Sequence, residues 1–293
     1  MDAARILTLS QMAELACAME VMCPKPGNVS PGKPFTFIND LSFIASAIGV
    51  ASVFDDKEAS VGQMVENAVT ITKKLVDKNT NLGIILLLAP LVKAAHVGEL
   101  HRQSVQKELL ALGDDDSRQI YDAINMASPE GLGKSEKYDV HEPPPPIMKA
   151  MELAACWDSI AREYATHYEI TFELTLPWLV RFWHEGHSLK NTILQTYLLL
   201  LSRVPDTLIS RKLGVEMSEK VSGSAQKIVE AGGVFTSEGK NKIYELEVFL
   251  ADPDNLLNPG TTADLIAAGI FVFLEKELRS TPISYLLERW DIR

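Results

Sequence analysis

The spacing of apolar residues constrains this chain more than any other feature, because it repeats at the helical period almost everywhere. In the first such segment Leu9, Met12, Ala16 and Met19 recur at steps of three or four residues, as one face of a helix requires. Similar segments follow at 40–54, 61–76, 82–95, 118–126, 147–165, 189–202, 218–231 and 262–278. The alternation typical of strands is nearly absent, and its one candidate, 168–176, is equally compatible with a helix. The pattern predicts an all-α fold of about a dozen helices, with very apolar ones such as 266–274 at the centre.

The length of the chain and the position of its proline-rich break bear on the number of domains. A chain of 293 residues suits one large domain or two small ones. The run Pro143–Pro146 must be extended and is a candidate linker between two halves. Because polar motifs lie on both sides of that run, we predict a single domain over residues 1–293.

Composition excludes several classes of function. A net charge of −11 argues against a nonspecific nucleic-acid binder, which needs a surplus of cations. The longest apolar run, 84–92, is far shorter than the roughly 18 residues of a membrane span, and the first ten residues lack the apolar core of a signal peptide. Three cysteines, Cys17, Cys23 and Cys156, form no CxxC pair, which favours reduced thiols. We expect a cytoplasmic protein that binds neither nucleic acid nor membrane.

Two loops combine turn residues with polar side chains. In Pro24-Lys25-Pro26-Gly27-Asn28-Val29-Ser30 the glycine allows a close backbone approach to a phosphate, with Lys25 as its counter-charge. A surface connection rich in turn residues is the alternative. Asn79-Thr80-Asn81-Leu82-Gly83 precedes a very apolar segment. Either Asn81 or Thr80 is a simple N-cap, or the carboxamides face a polar ligand.

A third loop contains paired acids. Gly131-Leu132-Gly133-Lys134-Ser135 ends like a phosphate-binding loop, but Ser128 stands where that motif needs glycine, so we reject it. Glu136 and Asp139 follow, and carboxylates of this kind suit Mg²⁺. A solvated charged loop is the alternative. His184 and His187 lack the spacing of a zinc-protease helix.

The remaining candidates have ordinary structural explanations as well. Asp158 and Arg162 stand four residues apart and can form a helical ion pair. The segment from Asp206 to Arg211 starts with an acid and ends with cations, as a helix dipole favours. Asp264 follows Thr261 by three residues, as in a capping box, yet it begins an apolar helix whose end can open into a central pocket.

Taken together, these stretches resemble the triphosphoribosyl-dephospho-coenzyme A synthase family. They occur in the order in which the family has them and extend from about residue 20 to 274. The matching elements are 24–29, Asp40 with Phe43 and Ser46, 79–83, Gly131-Leu132-Gly133 with Glu136 and Asp139-Val140, Asp206-Thr207 with Arg211-Lys212 and Gly214, Gly232-Gly233, and Asn258-Pro259-Gly260 with Ala263-Asp264-Leu265.

The resemblance implies an all-α enzyme that uses Mg²⁺ and takes ATP as substrate. Such enzymes join the ATP ribose to a hydroxyl, the 2′-OH of 3′-dephospho-coenzyme A, and release adenine. Breaking the bond between C1′ and adenine gives oxocarbenium character, which carboxylates stabilise, and the incoming hydroxyl needs a base. The resemblance leaves a homodimer open.

The resemblance also assigns candidate roles to residues of this chain. Asp40 and Asp264 are predicted as catalytic carboxylates and candidates for the base, and Glu136, Asp139 and Asp40 as metal ligands. For the nucleotide we predict phosphate contacts from Lys25, Arg162 and Arg211, contacts from Asn28 in the proline-rich loop, and ribose or adenine contacts from Asn79 and Asn81.

The chain departs from the family pattern at two places. Phe35-Thr36-Phe37-Ile38-Asn39 stands where the family tends to carry a histidine and further acids, and Ile209-Ser210-Arg211-Lys212 replaces a His-Arg-Gly-Gly-like run. These departures indicate a divergent branch, for which another acceptor, including one in the synthesis of a pterin-type one-carbon carrier, stays open. An all-α nucleotide or ADP-ribose glycohydrolase and a non-catalytic nucleotide-binding relative are the alternative functions.

Overall fold

The computed structural model describes residues 7–35, 38–76, 80–127 and 145–291. Every regular element in this part of the chain is a helix, which confirms the predicted all-α fold. A π-helical turn at Thr171–Thr175 and a 3₁₀ turn at Gly233–Phe235 accompany fifteen α-helices. The α-helices are α1 (Leu9–Met22), α2 (Asp40–Phe54), α3 (Val61–Val76), α4 (Leu82–Val97), α5 (Arg102–Leu110), α6 (Asp114–Ala127), α7 (Ile147–Ala154), α8 (Ser159–Ala165), α9 (Leu176–His184), α10 (Leu189–Arg203), α11 (Thr207–Leu213), α12 (Val215–Glu230), α13 (Ser237–Leu250), α14 (Gly260–Glu277) and α15 (Ile283–Glu288).

Local sequence signals locate several helices to the residue. The segments predicted at 40–54 and 61–76 are α2 and α3 with the same bounds. At the start of α1, Thr8 Oγ1 accepts the Gln11 N–H at 3.2 Å and Gln11 Oε1 accepts the Thr8 N–H at 2.9 Å, which is a reciprocal capping box. These signals depend on neighbouring residues only, so they survive in the folded chain.

The structure changes the bounds of two predicted helices and decides one segment that the sequence left open. The helix expected over 147–165 is divided into α7 and α8, because Asp158 accepts the N–H of Ile160 at 2.8 Å and begins a new helix. The strand candidate 168–176 is helical and includes the π-helical turn. The predicted segment 118–126 is extended at its start, because Asp114 to Asp116 form the first turn of α6, where the helix dipole favours carboxylates.

Two apolar helices, α4 and α14, form the centre of the fold. Residues 84–92 of α4 and 265–274 of α14 are all buried. The helices run in the same direction, since Asp264 lies against Gly83 near their N-terminal ends and Lys276 donates to the Leu100 carbonyl near their C-terminal ends, at 3.0 Å. Helices from both sides of residues 128–144 contact α14, namely α1, α4, α8, α9, α10 and α11. A helix that is apolar on all faces is suited to such a position.

No single helix in the described ranges has both the length and the apolarity to cross a membrane. Only α4 and α5 taken together pass such a test of length and composition, and the pair is bent by 106°.

Pro90 interrupts the hydrogen-bond ladder of α4 in the core. It has no N–H to donate to the Leu86 carbonyl, which would otherwise remain unpaired. The hydroxyl of Tyr164 donates to that carbonyl at 2.7 Å, and the hydroxyl of Tyr168 donates to the Leu87 carbonyl, also at 2.7 Å. Both tyrosines are fully buried. Side chains from α8 and the turn after it therefore satisfy the backbone that the proline leaves open.

The carboxylate of Glu163 holds the turn that presents these tyrosines. His167 and Tyr168 have positive φ angles of 54° and 63°. Glu163 accepts the N–H groups of Ile170 and Thr171 at 2.9 and 2.7 Å, and the Thr171 hydroxyl at 2.5 Å. Burial raises the pKa of Glu163 to about 7, although these three hydrogen bonds act in the opposite direction. The turn after α8 is thus fixed by a buried acid.

We predict that Tyr164→Phe lowers the free energy of unfolding by about 1–3 kcal/mol, because it leaves the buried Leu86 carbonyl without a donor. Pro90→Ala restores a backbone N–H to that carbonyl, so Tyr164→Phe should cost less in the Pro90→Ala background. Chemical denaturation of the four proteins measures both losses. Equal losses in the two backgrounds would show that the tyrosine does not compensate for the proline.

Candidate active site at the N-terminal ends of the central helices

Four helices begin close together beside the C-terminal end of α1. Asp264 of α14 lies against Gly83 of α4, and Thr262 of α14 is bonded to Asp206, the N-cap of α11. Arg211 of α11 is ion-paired with Asp158, the N-cap of α8. Helix N-termini carry positive partial charge and favour anionic groups. Four carboxylates share this region, which we call the acidic centre: Glu20, Asp158, Asp206 and Asp264.

Asp206 links the starts of two helices through its two oxygens. One oxygen accepts the N–H groups of Leu208 and Ile209 in α11, at 2.9 and 3.0 Å. The other accepts the N–H and the hydroxyl of Thr262 in α14, at 2.7 and 2.8 Å. Burial raises the pKa of Asp206, while these donors favour its charged form. Asp206 is therefore a cap for α11 that also holds the first turn of α14.

Asp264 has no structural role as a cap. The predicted capping box with Thr261 is wrong, because α14 begins at Gly260 and its N-cap position is Pro259, which makes no side-chain cap bond. Within the described part of the chain no hydrogen-bond donor or ion-pair partner reaches the Asp264 carboxylate. It packs against Gly83, where any added Cβ would overlap it.

The surroundings of Asp264 favour its protonated form. Partial burial between packed helices removes water from the Asp264 carboxyl group and raises its pKa well above its usual range, and the charges of Glu20 and Asp206 raise it further. Arg211 acts in the opposite direction, but its guanidinium is already paired with Asp158. The role of Asp264 as a base stays a prediction from the sequence, whereas these pKa shifts favour its proton-bearing form.

Lys25 has partners inside the protein. Its ammonium group lies 2.9 Å from Glu20 Oε1 and donates to the Glu20 carbonyl and, at 3.1 Å, to the Cys23 carbonyl. The side chain is fully buried. The predicted phosphate contact stays a prediction, and in this structure Lys25 neutralises Glu20 and closes the end of α1.

Asn28 also fixes the loop that carries it. Its Nδ2 donates to the Tyr197 hydroxyl at 3.0 Å, and that hydroxyl donates to the Pro26 carbonyl at 2.8 Å. Gly27 has a φ of +76° and lies against Leu250, where a side chain would clash. These contacts hold the proline-rich loop in one position beside the acidic centre.

Asn81 occupies the N-cap position of α4 without capping it. Its side chain makes no bond to its own helix, and both Oδ1 and Nδ2 are buried with no hydrogen-bond partner among the described residues. Thr80, the alternative cap, instead pairs with Ser46 of α2 at 2.5 Å. The simple N-cap interpretation is therefore wrong for both residues.

The two predicted arginines lie in different surroundings. Arg211 reaches Asp158, and its side chain is 27% exposed at the edge of the acidic centre. Arg162 is 3.1 Å from Glu169, and both of these side chains are about two-fifths exposed. The predicted ion pair between Asp158 and Arg162 does not form, because Asp158 faces Arg211 instead. The structure brings Arg211 to the acidic centre and gives Arg162 no described contact with it.

Asp40 begins α2, and its carboxylate has no hydrogen bond or ion pair among the described residues. Asn79, Glu136 and Asp139 lie outside the described residues. Within the described ranges, no group of three or more histidine, cysteine or carboxylate side chains is arranged to hold a metal ion.

Two residues of the site were missed by the sequence analysis. Glu20 continues the buried face of α1 after Ala13, Ala16 and Cys17, and an acid on an apolar face is a detectable signal. The sequence signal for Gly83 is weaker: a glycine in the first turn of an apolar helix indicates a close approach by another group.

A protein-family model described as ATP:dephospho-CoA triphosphoribosyl transferase matches residues 6–282, nearly the whole chain. The chain belongs to this family. The match confirms the family resemblance that the ordered motifs indicate.

Individual relatives of the transferase family match over shorter stretches. Proteins named probable 2-(5″-triphosphoribosyl)-3′-dephosphocoenzyme-A synthase occur in Malonomonas rubra, 36% identical over 31% of this chain and 28% of the relative, and in Pseudomonas fluorescens Pf-5, 31% identical over 38% of each. A third, from Stutzerimonas stutzeri, is 30% identical over 42% of each chain. The chain thus spans less than half the length of these relatives. No solved structure shows a significant match.

We predict that Gly83→Ala impairs this family member without unfolding it. Alanine normally stabilises a helix by about 1 kcal/mol over glycine, but here its Cβ would displace the Asp264 carboxylate, which can rotate away. The thermal midpoint should change little, while adenine release from ATP, the activity proposed for this protein below, should fall strongly. Gly223→Ala, in α12 with open space around it, is the matched control and should keep full activity. Normal activity of Gly83→Ala would show that the position of Asp264 is unimportant.

Proposed function

We propose that this protein transfers the triphosphoribosyl group of ATP to an acceptor hydroxyl, such as the 2′-OH of 3′-dephospho-coenzyme A, and releases adenine. The family match over residues 6–282 carries the proposal. The relatives that share 27–36% identity with parts of the chain are named as synthases of the corresponding product. The acidic centre supports it, because carboxylates near C1′ stabilise the oxocarbenium character of a breaking glycosidic bond.

The described residues suggest a division of labour around the nucleotide. Arg211, partly exposed at the edge of the acidic centre, is placed to meet a phosphate once one competes for its pairing with Asp158. The buried pair of Lys25 and Glu20 holds the proline-rich loop, whose backbone can approach the ligand at Gly27. Arg162 and Asn28 stay predicted nucleotide contacts.

Mg²⁺ belongs to the proposal as the partner of the triphosphate. It binds oxygen ligands and needs only one or two carboxylates when phosphates supply the others. Asp40 fits such a role, because its carboxylate is partly exposed and engages no other described residue. Glu136 and Asp139 are the other proposed ligands. The ion would offset the repulsion between an acidic protein and the triphosphate.

The direct test is to incubate the purified protein with ATP and Mg²⁺, with and without 3′-dephospho-coenzyme A and a panel of other hydroxyl acceptors, and to quantify purine products by chromatography. We expect free adenine to appear only when an acceptor is present. Omission of Mg²⁺ is the control for the role of the metal.

Each other result has a definite meaning. ADP or inorganic phosphate in place of adenine would contradict glycosyl transfer. Adenine release without any acceptor would identify a glycohydrolase, and tight binding of Mg-ATP with no turnover over any acceptor would identify a non-catalytic relative. The cytoplasmic location and the homodimer stay predictions from the sequence.

A further inference from the structure

The side chain of Asn81 is an unexplained buried polar group. The residue is 4% exposed, and in the part of the chain that the structure describes neither its amide oxygen nor its amide nitrogen has a hydrogen-bond partner. An asparagine at an N-cap ordinarily accepts an N–H of its own helix, and buried polar atoms are almost always paired. A buried carboxamide whose oxygen and nitrogen both lack a hydrogen bond lowers the stability of the fold. A ligand that pairs with both atoms explains why such a group is present.

Asn81 and Asp264 meet at the same turn. Gly83, two residues after Asn81, is the residue against which the Asp264 carboxylate packs. The unpaired carboxamide and the unpaired carboxyl group therefore belong to one small region at the start of α4. The amide of Asn81 offers an NH₂ donor group and an oxygen acceptor, and the carboxyl group of Asp264 lies beside them.

We propose that Asn81 binds the adenine of ATP and that Asp264 donates the proton with which adenine leaves. The inference rests on the proposed function, since it assigns roles within triphosphoribosyl transfer. Adenine offers an N6 amino donor beside a ring-nitrogen acceptor, and a carboxamide pairs with both at once. The remaining ring nitrogens of the base are then free to accept a proton.

The proposed step balances its atoms and electrons. The bond between C1′ and N9 breaks, and its electron pair goes to the base, while Asp264 gives its proton to a ring nitrogen of adenine. The oxygen of the acceptor hydroxyl forms the new bond to C1′. The proton lost by that hydroxyl passes through solvent to Asp264 and restores its acid form, so no proton is consumed overall.

The groups that face Asp264 keep it in the form that such a donor needs. Around it lie Glu20 and the Cys17 thiol from α1, Asp158 before α8, and Asp206 and Arg211 from α11. Glu20 is paired with Lys25 and Arg211 with Asp158, so the nearby cations are already engaged. A partly buried carboxyl group that lies among acids and has no cation of its own holds its proton to higher pH, as the raised pKa of Asp264 indicates.

The first arm of the test measures adenine release by Asp264→Asn. The amide keeps the shape of the side chain but donates no proton to a leaving base, so kcat should fall by about 100-fold or more. The KM for ATP should stay within about threefold, because ground-state binding is retained. Wild-type activity should decline as pH rises through the pKa of Asp264, and the variant should lack this decline. Asp254→Asn, an exposed acid between α13 and α14, should behave as wild type.

The same variant separates a proton donor from a metal ligand and from a structural residue. A general acid leaves the Mg²⁺ concentration for half-maximal rate unchanged, whereas loss of a ligand would raise it. Because a raised pKa in the folded state makes the wild type lose stability as pH rises, Asp264→Asn should keep or raise the thermal midpoint, more so at pH 8 than at pH 5. Near-normal kcat, or a large shift in Mg²⁺ dependence, would overturn the role of Asp264.

The second arm tests Asn81 by binding alone. Calorimetry compares adenine with purine, which lacks the N6 amino group, on the wild type and on Asn81→Ser. Serine is itself a good N-cap, so this variant should fold with an unchanged or higher thermal midpoint. We expect it to weaken adenine binding by about 10-fold or more and purine binding much less, since only adenine loses the N6 contact. Asn241→Ser, exposed on α13, is the control.

Failure of the proposed function and failure of the Asn81 assignment give different results. If the wild type releases no adenine from ATP with any acceptor, the proposed function is wrong, while the calorimetric comparison still decides whether Asn81 binds the base. If the wild type releases adenine but Asn81→Ser weakens adenine and purine equally, transfer is retained and the assignment of Asn81 is overturned.

Discussion

The buried carboxylate of Asp206 joins two helix starts that are 56 residues apart in the chain. One oxygen caps α11, and the other holds Thr262 in the first turn of α14. Its four donors offset part of the desolvation cost of burying a carboxylate. Because α14 is held there, Asp264 in its second turn faces Gly83 of α4. The geometry of the acidic centre therefore depends on the hydrogen bonds of this one carboxylate.

Most buried polar groups of the described residues have a partner inside the protein, and Asn81 is the one described residue with two unpaired buried side-chain atoms. Glu20 is satisfied by Lys25, Asp158 by Arg211, and the carbonyl that Pro90 leaves open by Tyr164. Asn81 and Asp264 lack such partners among the described residues, although they lie at the start of the same central helix. Because the neighbouring acids are paired, the Asn81 carboxamide and the Asp264 carboxyl group are the side chains here that can bind a ligand. The family indicates that this ligand is ATP, and we assign its adenine to these two residues.

The sequence predicted what depends on neighbouring residues. The helical period located α2 and α3 to the residue, and the Thr8–Gln11 pair marked the start of α1 correctly, because both signals are local. Prediction from the sequence failed where residues far apart in the chain compete for the same partner. Asp158 pairs with an arginine 53 residues away and not with Arg162 four residues away, since the first turns of α8 and α11 lie side by side, where the Ser159 N–H donates to Thr207 Oγ1 at 3.2 Å. The isolation of Asn81 is likewise invisible in a sequence that simply places an asparagine before a helix.

A structure of the protein with ATP or adenine bound tests the central claim most directly. The account predicts an adenine ring hydrogen-bonded to the Asn81 carboxamide, with one ring nitrogen within hydrogen-bond distance of Asp264. The opposite ends of α4 and α14 border an open cleft of about 740 Å³, lined by residues that include His96 and Glu275. That cleft lies at the far end of a 16-residue helix, about 24 Å from Asn81. Adenine bound there, or anywhere away from Asn81, would contradict the account.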